Sequence, residues 1–425
     1  MMRAPQLPMR MVSAIIGMRN QPLTYPMALK ILFVHNYYSS RQPSGENQVF
    51  DVERELLFRH GNDVEILTRN SDHIRAKGGF GAIQGALATS WNPWMAKAIR
   101  LKVEALKPDL VHVHNTFPLI SPAIFHSIGN RAARVLTLHN YRLFCPAAIP
   151  MLHGEICTKC LDQRTAMPAM VHGCYRGSRA ATLPLAFSVG LHRALGTWTK
   201  QVDAFICLSE FQRELMIEAG LPQEKVHVKP NFYPGNPAVP VWADRKPYVV
   251  FAGRLTTEKG VVNLLRAWQA WGPGTPELRL VGDGELRPEL ERMAVGLPVR
   301  FLGQVSAEEA QAQIANAHLL MLSSECFEGF PMVVREAFAF GTPAAVSDLG
   351  PLPTIVEHGK SGIVFEPANP KSLLQEVRTA WETPGLLERL GQGARAEFES
   401  KYTEESNYAD LIDIYSKAIE VSRNG

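Results

Sequence analysis

The stretch E-C-F-E-G-F-P-M-V-V-R-E-A-F-A-F-G-T-P, from Glu325 to Pro343, decides how we interpret the rest of the chain. Gly329 and Pro331 predict a turn that runs into a helix, with proline at or near the first helical position, and Gly341 ends that helix. The first N–H groups of such a helix and the positive end of its dipole favour a bound anion. The stretch therefore predicts a phosphate site at a turn before a helix.

Two carboxylates of this stretch, Glu328 and Glu336, are candidates for contacts to hydroxyl groups. Glu336 lies about a turn and a half inside the helix, where it can accept hydrogen bonds from a ribose, and Glu328 at the turn can hold a second polyol. The alternative is a pair of solvated glutamates on an amphipathic helix. Glu325, eleven residues before Glu336, does not fit the same spacing.

The composition is that of a globular protein of two domains. Of the 425 residues, 46% are apolar and 20% are charged. No apolar run approaches the roughly 18 to 20 residues that a membrane-spanning helix needs. Residues 1–26 carry three Arg and no acid, and we expect a disordered extension there, with Met27 as a candidate start.

Charge divides the chain into two unlike halves. Residues 1–240 contain 26 Lys and Arg against 16 Asp and Glu, whereas residues 241–425 contain 18 against 25. Residues 73–103 and 163–202 each hold five Lys or Arg and no acid. An anionic membrane surface or a pyrophosphate-bearing acceptor explains these patches better than nucleic acid, because no aromatic-interleaved basic motif is present. Solvated basic faces are the alternative.

Short apolar runs alternate with helical segments in both halves, which predicts an α/β fold with doubly wound parallel sheets. In the first half the expected strands are Leu29–His35, Val64–Thr68, Asp109–His114, Arg134–His139 and Ala204–Leu208, with a helix from about Glu46 to His60. In the second half they are Tyr248–Ala252, Leu278–Val281, Val299–Gly303, His318–Leu322, Ala344–Ser347 and Gly362–Phe365.

Between the halves, the prolines Pro234, Pro237, Pro240 and Pro247 predict a linker. We expect the first domain at residues 27–235, the linker at 236–247 and the second domain at 248–402. Residues 403–425 form a helix that returns to the first domain.

Candidate site residues follow the carboxyl ends of strands, where ligands of doubly wound sheets bind. In the first half these positions are held by the loop Ser44, Gly45 and Glu46 and by His139 and Asn140. A lone His at a strand end is nevertheless often structural.

The first strand of the second half is followed by Gly253, Arg254 and Lys259. The last two bring two cations to the carboxyl edge of the expected sheet. The glycine fingerprint of dinucleotide-binding folds is absent after either first strand, which argues against a nicotinamide dehydrogenase.

Four of the six cysteines, Cys145, Cys157, Cys160 and Cys174, fall within thirty residues. The C-x2-C pair with flanking single cysteines fits four-thiolate coordination of a structural zinc in an insertion at 145–175 with little regular periodicity. Free thiols are the alternative, His153 and His172 are substitute ligands, and disulfides are disfavoured without an export signal.

The order of these motifs resembles family 4 of the retaining, nucleotide-sugar-dependent glycosyltransferases from Leu29 to about Tyr415. The E-x7-E pair at Glu328 and Glu336, followed by G-T-P, is the most specific element. The other matching motifs are G-R-L-x2-E-K-G at Gly253–Gly260, G-D-G-E-L at Gly282–Leu286, the P-N turn at Pro230 and Asn231, and T-L-H at His139. Thr354 departs from the family, which often has Glu there.

The resemblance implies two Rossmann-like domains facing each other across a cleft, and a role for each motif residue. Arg254 and Lys259 would hold the donor diphosphate, Glu336 the ribose, and Glu328 and His139 the donor sugar. Gly45 would let the backbone approach the phosphates. Further donor-site residues implied by the resemblance are Gly253, Gly329, Phe330 and Asn231.

The expected function is therefore a retaining glycosyltransferase that uses a UDP- or GDP-sugar and no catalytic cofactor or metal. Its acceptor is a glycan or lipid-linked intermediate, an anionic membrane surface is a candidate partner, and nucleic acid is not expected. We expect a cytoplasmic location at the inner face of the cell membrane. A nucleotide-sugar epimerase or phosphorylase of the same fold and a non-catalytic nucleotide-sugar-binding subunit are the alternatives.

Overall fold

Two parallel sheets of six strands each form the frame of the protein. The computed structural model describes residues 28–38 and 44–424. The first sheet has the order β2-β1-β3-β4-β7-β8 and the second has the order β11-β10-β9-β12-β13-β14. Every pairing in both sheets is parallel, as expected for a doubly wound fold. The expectation of a disordered extension at residues 1–26 falls outside the described residues.

The strands of the first sheet are β1 (Lys30–Tyr37), β2 (Asp63–Asn70), β3 (Leu110–Val113), β4 (Ala133–Thr137), β7 (Ala204–Cys207) and β8 (Val226–Val228). Those of the second sheet are β9 (Lys246–Ala252), β10 (Glu277–Val281), β11 (Val299–Gly303), β12 (Ala317–Leu322), β13 (Ala344–Ser347) and β14 (Gly362–Phe365). A separate antiparallel hairpin pairs β5 (Met151–Leu152) with β6 (Glu155–Ile156).

Helices cover both faces of each sheet. In the first half they are α1 (Gly45–Arg59), α2 (Asp72–Arg75), α3 (Gly78–Ser90), α4 (Pro93–Leu106), α5 (Ala123–Ile128), α6 (Lys159–Asp162), α7 (Met167–His172), α8 (Arg179–Ala194), α9 (Thr197–Lys200) and α10 (Glu210–Glu218). In the second half they are α11 (Val261–Trp271), α12 (Arg287–Met293), α13 (Ala307–Ala315), α14 (Met332–Ala339), α15 (Leu352–Ile355), α16 (Pro370–Glu382), α17 (Leu386–Lys401) and α18 (Glu404–Asn424).

The strand orders fix where a ligand can bind. In the second sheet the order reverses between β9 and β12, so the loops that follow these two strands open a crevice at its carboxyl edge. In the first sheet the reversal lies between β1 and β3, with β4 as the next neighbour. The motif residues expected to bind the donor follow β9 and β12, and Gly45 and His139 follow β1 and β4.

The C-terminal helix α18 packs back on the first domain, as expected. Leu411, Ile414 and Tyr415 join the apolar cluster under the first sheet, together with Phe33 of β1 and Phe50 of α1. Each of these side chains is at most 3% exposed. The last helix of the chain therefore completes the core of the domain in which the chain begins.

Three features of the fold differ from the sequence expectation. Strand β9 begins at Lys246 and contains Pro247, which we assigned to the linker. The strand can include this proline because its pairing with β10 starts only at Tyr248, so no hydrogen bond to β10 needs the N–H that Pro247 lacks. Strand β8 and the β5–β6 hairpin were not expected. These segments have three and two residues per strand, too few for a periodic signal.

Candidate active site

The loop after β9 carries a lysine into the crevice of the second domain. Gly260 follows Lys259 and has a φ of +66°. A Cβ at Gly260 would lie 1.9 Å from the carbonyl oxygen of Ser323, which follows β12, so only glycine fits there. The Ser323 hydroxyl donates to the Lys259 carbonyl over 2.8 Å. The two loops at the switch point are thus held together at the lysine.

Lys259 pairs directly with Glu328, the first carboxylate of the E-x7-E motif. Its Nζ lies 2.6 Å from Glu328 Oε1, and the Ser324 hydroxyl donates to the same oxygen. Burial opposes ionisation of both groups, yet their mutual attraction raises the pKa of Lys259 and lowers that of Glu328. The pair is therefore ionised and brings a cation and a carboxylate to the same point of the crevice.

Arg254 lies at the same mouth but faces solvent. Its guanidinium pairs with Glu258 over 3.1 Å, and its side chain is 61% exposed. The charge of Arg254 still helps to lower the pKa of Glu328, after the larger effects of burial and Lys259. Its neighbour Gly253 lies over the ring of Phe251, 3.5 Å from where a Cβ would be. Arg254 is free to swing toward a ligand because an exposed pair constrains it little.

Gly329 brings the second domain against the first. A Cβ at Gly329 would lie 3.0 Å from the carbonyl oxygen of His139, so a side chain would force the two loops apart. The Tyr141 hydroxyl, from the same loop as His139, lies 3.4 Å from the Glu328 carbonyl oxygen. The structure thus places His139 directly across from the E-x7-E turn.

Gly45 and Asn231 reach the start of helix α14. A Cβ at Gly45 would lie 3.2 Å from Met332 Cγ, and the Asn231 amide donates to Met332 Sδ over 3.6 Å. Met332 is the first residue of α14, whose free N–H groups point in this direction. The amide oxygen of Asn231 is buried and, in the described part of the chain, has no hydrogen-bond partner.

Glu336 and Phe330 are not in direct contact with the Lys259–Glu328 pair. The Glu336 carboxylate lies 3.8 Å from Arg335 and accepts a hydrogen bond from Gln311, while burial raises its pKa. The Phe330 ring packs in the apolar core against Tyr402, with 5.3 Å between ring centroids. The Phe330 side chain therefore has a packing role.

Glu325, the extra carboxylate near the motif, accepts a hydrogen bond from the Asn263 amide over 2.6 Å. This bond ties the loop after β12 to helix α11.

His139 is half-buried beside a second histidine. Its Nε2 lies 3.1 Å from His114 Nδ1, and the two rings stack. Burial lowers the pKa of His139 to about 3, with smaller effects from His35 and Lys229. His139 is therefore neutral near pH 7 and acts as a hydrogen-bonding group rather than as a proton donor of the imidazolium type.

A buried ion pair lies under the histidines. Lys229 Nζ is 2.5 Å from Glu53 Oε1, and both side chains are fully buried. The other oxygen of Glu53 lies 3.6 Å from His114 Nε2. Within residues 28–38 and 44–424, Glu53, His112 and His114 are the one group of three potential ligands whose atoms lie within 4.8 Å of one another. The Lys229 ammonium already supplies a cation to this group.

Glu46 and Asn140, which the sequence placed beside the carboxyl ends of two strands, are in direct contact. The Glu46 carboxylate accepts hydrogen bonds from the amides of Asn140 and Asn115 over 2.7 and 3.3 Å. Burial raises its pKa to about 7, and Asn140 and Arg142 oppose this shift. A carboxyl group with such a pKa beside a cleft can exchange a proton near pH 7.

The four cysteines of the insertion line one cavity of about 20 Å³, together with His172. Burial raises the pKa of Cys145 to about 12 and also raises those of Cys160 and Cys174. No three of these sulphur atoms lie within 4.8 Å of one another. Tetrahedral zinc at a Zn–S distance of about 2.3 Å needs sulphur atoms about 3.8 Å apart. The donor set fits zinc, and the spacing in the structure is wider than a bound ion requires.

Two family models together match most of the chain. The model described as "Glycosyltransferase Family 4" matches residues 45–234, and the model described as "Glycosyl transferases group 1" matches residues 235–397. The border between the matches falls in the segment that joins the two sheets.

Curated relatives are similar over parts of the chain. An uncharacterized glycosyltransferase of Methanocaldococcus jannaschii, MJ1607, is 31% identical over 183 residues, which is 42% of this chain and 47% of that protein. Spore coat protein SA of Bacillus subtilis is 24% identical over 338 residues, which is 76% of this chain and 81% of that protein. The match to the first relative thus spans about half of its length.

Among solved structures, the Anabaena protein Alr3699/HepE in complex with UDP has a TM-score of 0.62 and 19% identity, covering 91% of this chain and 100% of that one. This similarity supports the arrangement of two Rossmann-like domains. With the motifs in order and the two family models matched across residues 45–397, the chain belongs to the family 4 and group 1 glycosyltransferases.

Proposed function

We propose that the protein transfers a sugar from a UDP- or GDP-sugar to a glycan or lipid-linked acceptor with retention of anomeric configuration. The observation that carries the proposal is the ionised Lys259–Glu328 pair, which lies at the switch point of the second sheet and faces His139 across the cleft. In a nucleotide-sugar complex the diphosphate binds Lys259 and takes the place of part of its contact with Glu328.

Each motif residue has a role in this proposal. Lys259 and Arg254 bind the diphosphate, with the N-terminus of α14 and the loop at Gly45 close by. Glu336 and Asn231 bind the nucleoside part of the donor. Glu336 accepts hydrogen bonds from the ribose hydroxyls. Gly253 and Gly329 give the backbone room, and the main chain at Phe330 completes the turn.

The chemistry follows from these charges. When the bond between the anomeric carbon and the β-phosphate oxygen breaks, negative charge grows on the leaving diphosphate. Lys259, Arg254 and the helix dipole stabilise this charge without a metal ion. Glu328 and the neutral His139 accept hydrogen bonds from hydroxyl groups of the donor sugar. The acceptor oxygen attacks from the same face as the departing group and passes its proton to the leaving phosphate oxygen.

A relative in structure supports the choice of donor. Alr3699/HepE was solved in complexes with UDP, with UDP and glucose, and with UDP-glucose. For the present chain we propose a nucleoside diphosphate sugar of the same chemical class.

Two parts of the proposal concern the first domain. The acceptor lies on this side of the cleft, near an anionic membrane surface, because the acid-free basic stretches belong to this domain. The four cysteines Cys145, Cys157, Cys160 and Cys174 hold a structural zinc that staples the insertion beside the cleft. Neither feature takes part in the bond-breaking step.

The test is a thermal shift of the full chain against UDP-, GDP-, ADP- and TDP-sugars, followed by product analysis with the stabilising donor. A ligand that binds the folded state raises the melting temperature with its concentration. Retention is read from the anomeric coupling constant of the product. A protein that epimerises the donor alone, or that needs inorganic phosphate, would show that the reaction class is wrong.

A metal-chelated sample serves as the control for metal independence. Loss of activity that Mg²⁺ or Mn²⁺ restores contradicts the proposed leaving-group stabilisation, whereas a loss that only Zn²⁺ restores reflects the proposed structural zinc site.

A further inference from the structure

A large cavity of the first domain is not used by the donor site. It has a volume of about 600 Å³ and lies between helices α3 and α8. Its walls are formed mainly by apolar or small residues of these helices, including Ala82, Gly85, Ala86, Ala181 and Leu185. Such a space is large enough for several carbon units of a hydrocarbon chain.

One end of this cavity leads to the cleft. Thr89, Phe117, Arg142 and Leu185 line both the large cavity and a smaller one of about 70 Å³ that reaches His139. A molecule that lies in the large cavity can thus place its head close to the reacting groups. The smaller cavity thus lies between the large one and His139, the residue proposed to contact the donor sugar.

Two arginines lie at the cleft end of the cavity. Arg142 donates one hydrogen bond to the Pro146 carbonyl and stacks on Phe117, with 4.2 Å from the guanidinium carbon to the ring centroid. Its Nε is buried and has no hydrogen-bond partner among residues 28–38 and 44–424. Arg142 therefore has an unused donor directed away from solvent, which an anionic head group can satisfy.

Arg176 is held at the cavity by an unusual backbone. Its φ is +56° and that of Gly177 is +64°, and the side chain is exposed over the ring of Tyr175. A left-handed conformation of a non-glycine residue is costly and tends to persist where function requires it. The turn between α7 and α8 thus presents a second cation beside Arg142.

The outer faces of the same helices are unusually apolar. Helix α3 exposes Ile83 and Leu87, by 60% and 74%, and helix α8 exposes Leu183 and Phe187, by 56% and 60%. Each pair is spaced i,i+4 and so lies on one side of its helix. Helix α7, which packs against α8, exposes Met167 and Val171 in the same spacing.

The charges around these faces are of one sign. Residues 73–103 and 163–202, which contain α3, α7 and α8, include ten Lys and Arg and no Asp or Glu. Apolar side chains surrounded by cations are typical of surfaces that insert into the head-group region of anionic lipid bilayers. Exposed apolar patches of this kind seldom occur on a protein that binds nothing there.

We propose that the cavity between α3 and α8 is the acceptor site and binds an amphiphile with a phosphate or diphosphate head and a hydrocarbon chain. Arg142 and Arg176 bind the head, the chain lies between the two helices, and the exposed faces of α3, α7 and α8 contact the anionic bilayer from which the acceptor enters. This inference rests on the proposed glycosyl transfer and names the class of its acceptor.

The first test measures membrane docking by flotation with vesicles of phosphatidylglycerol or of phosphatidylcholine. We expect the wild type to float with the anionic vesicles only, in a salt-sensitive manner. Leu87→Ser with Phe187→Ser should reduce this binding about tenfold or more, since two exposed apolar side chains no longer insert. The matched control is Phe58→Ser with Val295→Ser, which changes side chains that are 66% and 82% exposed elsewhere.

Two results of this test would overturn the docking surface. Equal loss in the control pair would show a general effect of surface hydrophobicity. A dimer in light scattering that dissociates in Leu87→Ser with Phe187→Ser would show that the surface is covered by a second copy of the chain.

The second test measures the cavity itself by calorimetry with farnesyl diphosphate as the probe. We expect binding to the wild type, and weakening of about ten- to hundredfold in Arg142→Gln and in Arg176→Gln. Arg100→Gln, an exposed arginine of the same domain, is the control and should bind as the wild type does. Equal affinity for inorganic pyrophosphate would show that the apolar walls contribute nothing and would overturn the proposal.

Nucleoside diphosphate binding is measured in the same samples. Binding of the nucleotide without any binding of farnesyl diphosphate sinks the acceptor assignment alone. If the wild type binds neither the nucleoside diphosphate nor farnesyl diphosphate, the proposed function is contradicted as well.

Discussion

Lys259 Nζ lies 2.6 Å from Glu328 Oε1, so the cation expected to bind the donor diphosphate is neutralised by a carboxylate in the free protein. The two residues are 69 positions apart and come from the loops after β9 and β12. A diphosphate must therefore compete with Glu328 for the ammonium group, and the donor sugar can then take up the released carboxylate oxygen.

This competition predicts opposite effects of two substitutions on nucleotide affinity. Lys259→Met removes a charge-assisted hydrogen bond and should weaken nucleoside diphosphate binding by about 1.5 to 3 kcal/mol. Glu328→Gln leaves the lysine free for phosphate, so affinity should be unchanged or higher while turnover falls.

Calorimetry with UDP and GDP, beside an activity assay, checks both expectations. Arg287→Gln is the control, because this exposed arginine pairs with Asp283 and Glu291 only at the surface. Weaker nucleotide binding in Glu328→Gln would show that the carboxylate positions the lysine rather than competing with phosphate.

Glu46 predicts a pH dependence of stability. Burial raises its pKa from 4.5 to about 7, so between these values the folded protein binds more protons than the unfolded chain, and stability falls as the pH rises. Glu46→Gln removes this dependence and keeps an amide oxygen for Asn140. Its free energy of unfolding should rise relative to wild type, by on the order of 2 kcal/mol, across this range.

Urea unfolding of both proteins below pH 4.5 and above about pH 7 measures the difference between their free energies of unfolding. Glu308→Gln on the exposed surface is the control, and we expect it to follow the wild type. A constant difference between Glu46→Gln and wild type at all pH values would mean that Glu46 ionises as an ordinary carboxyl group.

The sequence predicted the bounds of several strands because short apolar runs bounded by turn residues recur in both halves. The expected strands Val299–Gly303, Ala344–Ser347 and Gly362–Phe365 agree with β11, β13 and β14 to the residue. The wrong placement of Pro247 and the unexpected strand β8 arise at strand ends and in short strands. There, pairing partners rather than local composition decide the structure.

Site residues were predictable where a motif names them and not where three-dimensional contacts create them. The pairing of Glu53 with Lys229 joins residues 176 positions apart, and no local pattern marks either one. Glu46 is unusual only through Asn140, which approaches from another strand end. The Phe330 ring packs in the apolar core of the second domain, which its place in the motif does not indicate.

The buried pair of Lys229 and Glu53 predicts a large loss of stability on removal of one partner. Lys229→Met leaves the Glu53 carboxylate buried without its cation, which typically costs about 3 to 5 kcal/mol. Lys229→Met combined with Glu53→Gln should recover part of this loss, because no lone charge then remains in the core.

Denaturant unfolding of the full chain checks this expectation. Lys417→Met is the control, since Lys417 pairs with Asp413 at 2.7 Å on the surface and should change stability by only about 0 to 1 kcal/mol. A loss in Lys229→Met no larger than in the control would contradict a charged pair in the core.

The cysteine cavity predicts one zinc ion for each chain. Metal analysis of protein purified without chelator should give this ratio, and Cys157→Ser or Cys174→Ser should lower it because zinc prefers four ligands in structural sites. Because burial raises the thiol pKa values, zinc uptake should strengthen as the pH rises and release protons. Cys207→Ala, outside the cavity, is the control. If a native sample without metal shows all of these thiols reacting in a thiol titration, the four cysteines are free and the zinc proposal is contradicted.

The contact between His114 and His139 predicts the proton positions on both rings. His114 Nε2 faces the Glu53 carboxylate at 3.6 Å, which favours a proton on that nitrogen and leaves His114 Nδ1 as an acceptor. His139 Nε2, 3.1 Å away, must then carry the proton that it donates to His114. The Nδ1 atom of His139 is left as an acceptor for a donor-sugar hydroxyl.

Nitrogen-15 NMR of labelled histidines distinguishes the two tautomers by the shifts of the ring nitrogens, with His139→Asn used for assignment. We expect the Nε2–H form of His139, without titration near the ordinary value of 6.5, because burial lowers its pKa to about 3. Glu53→Gln should loosen this preference, since an amide can donate to His114 Nε2 and move its proton to Nδ1. A protonated Nδ1 on His139 in the wild type would show that the buried carboxylate does not orient the histidine of the cleft.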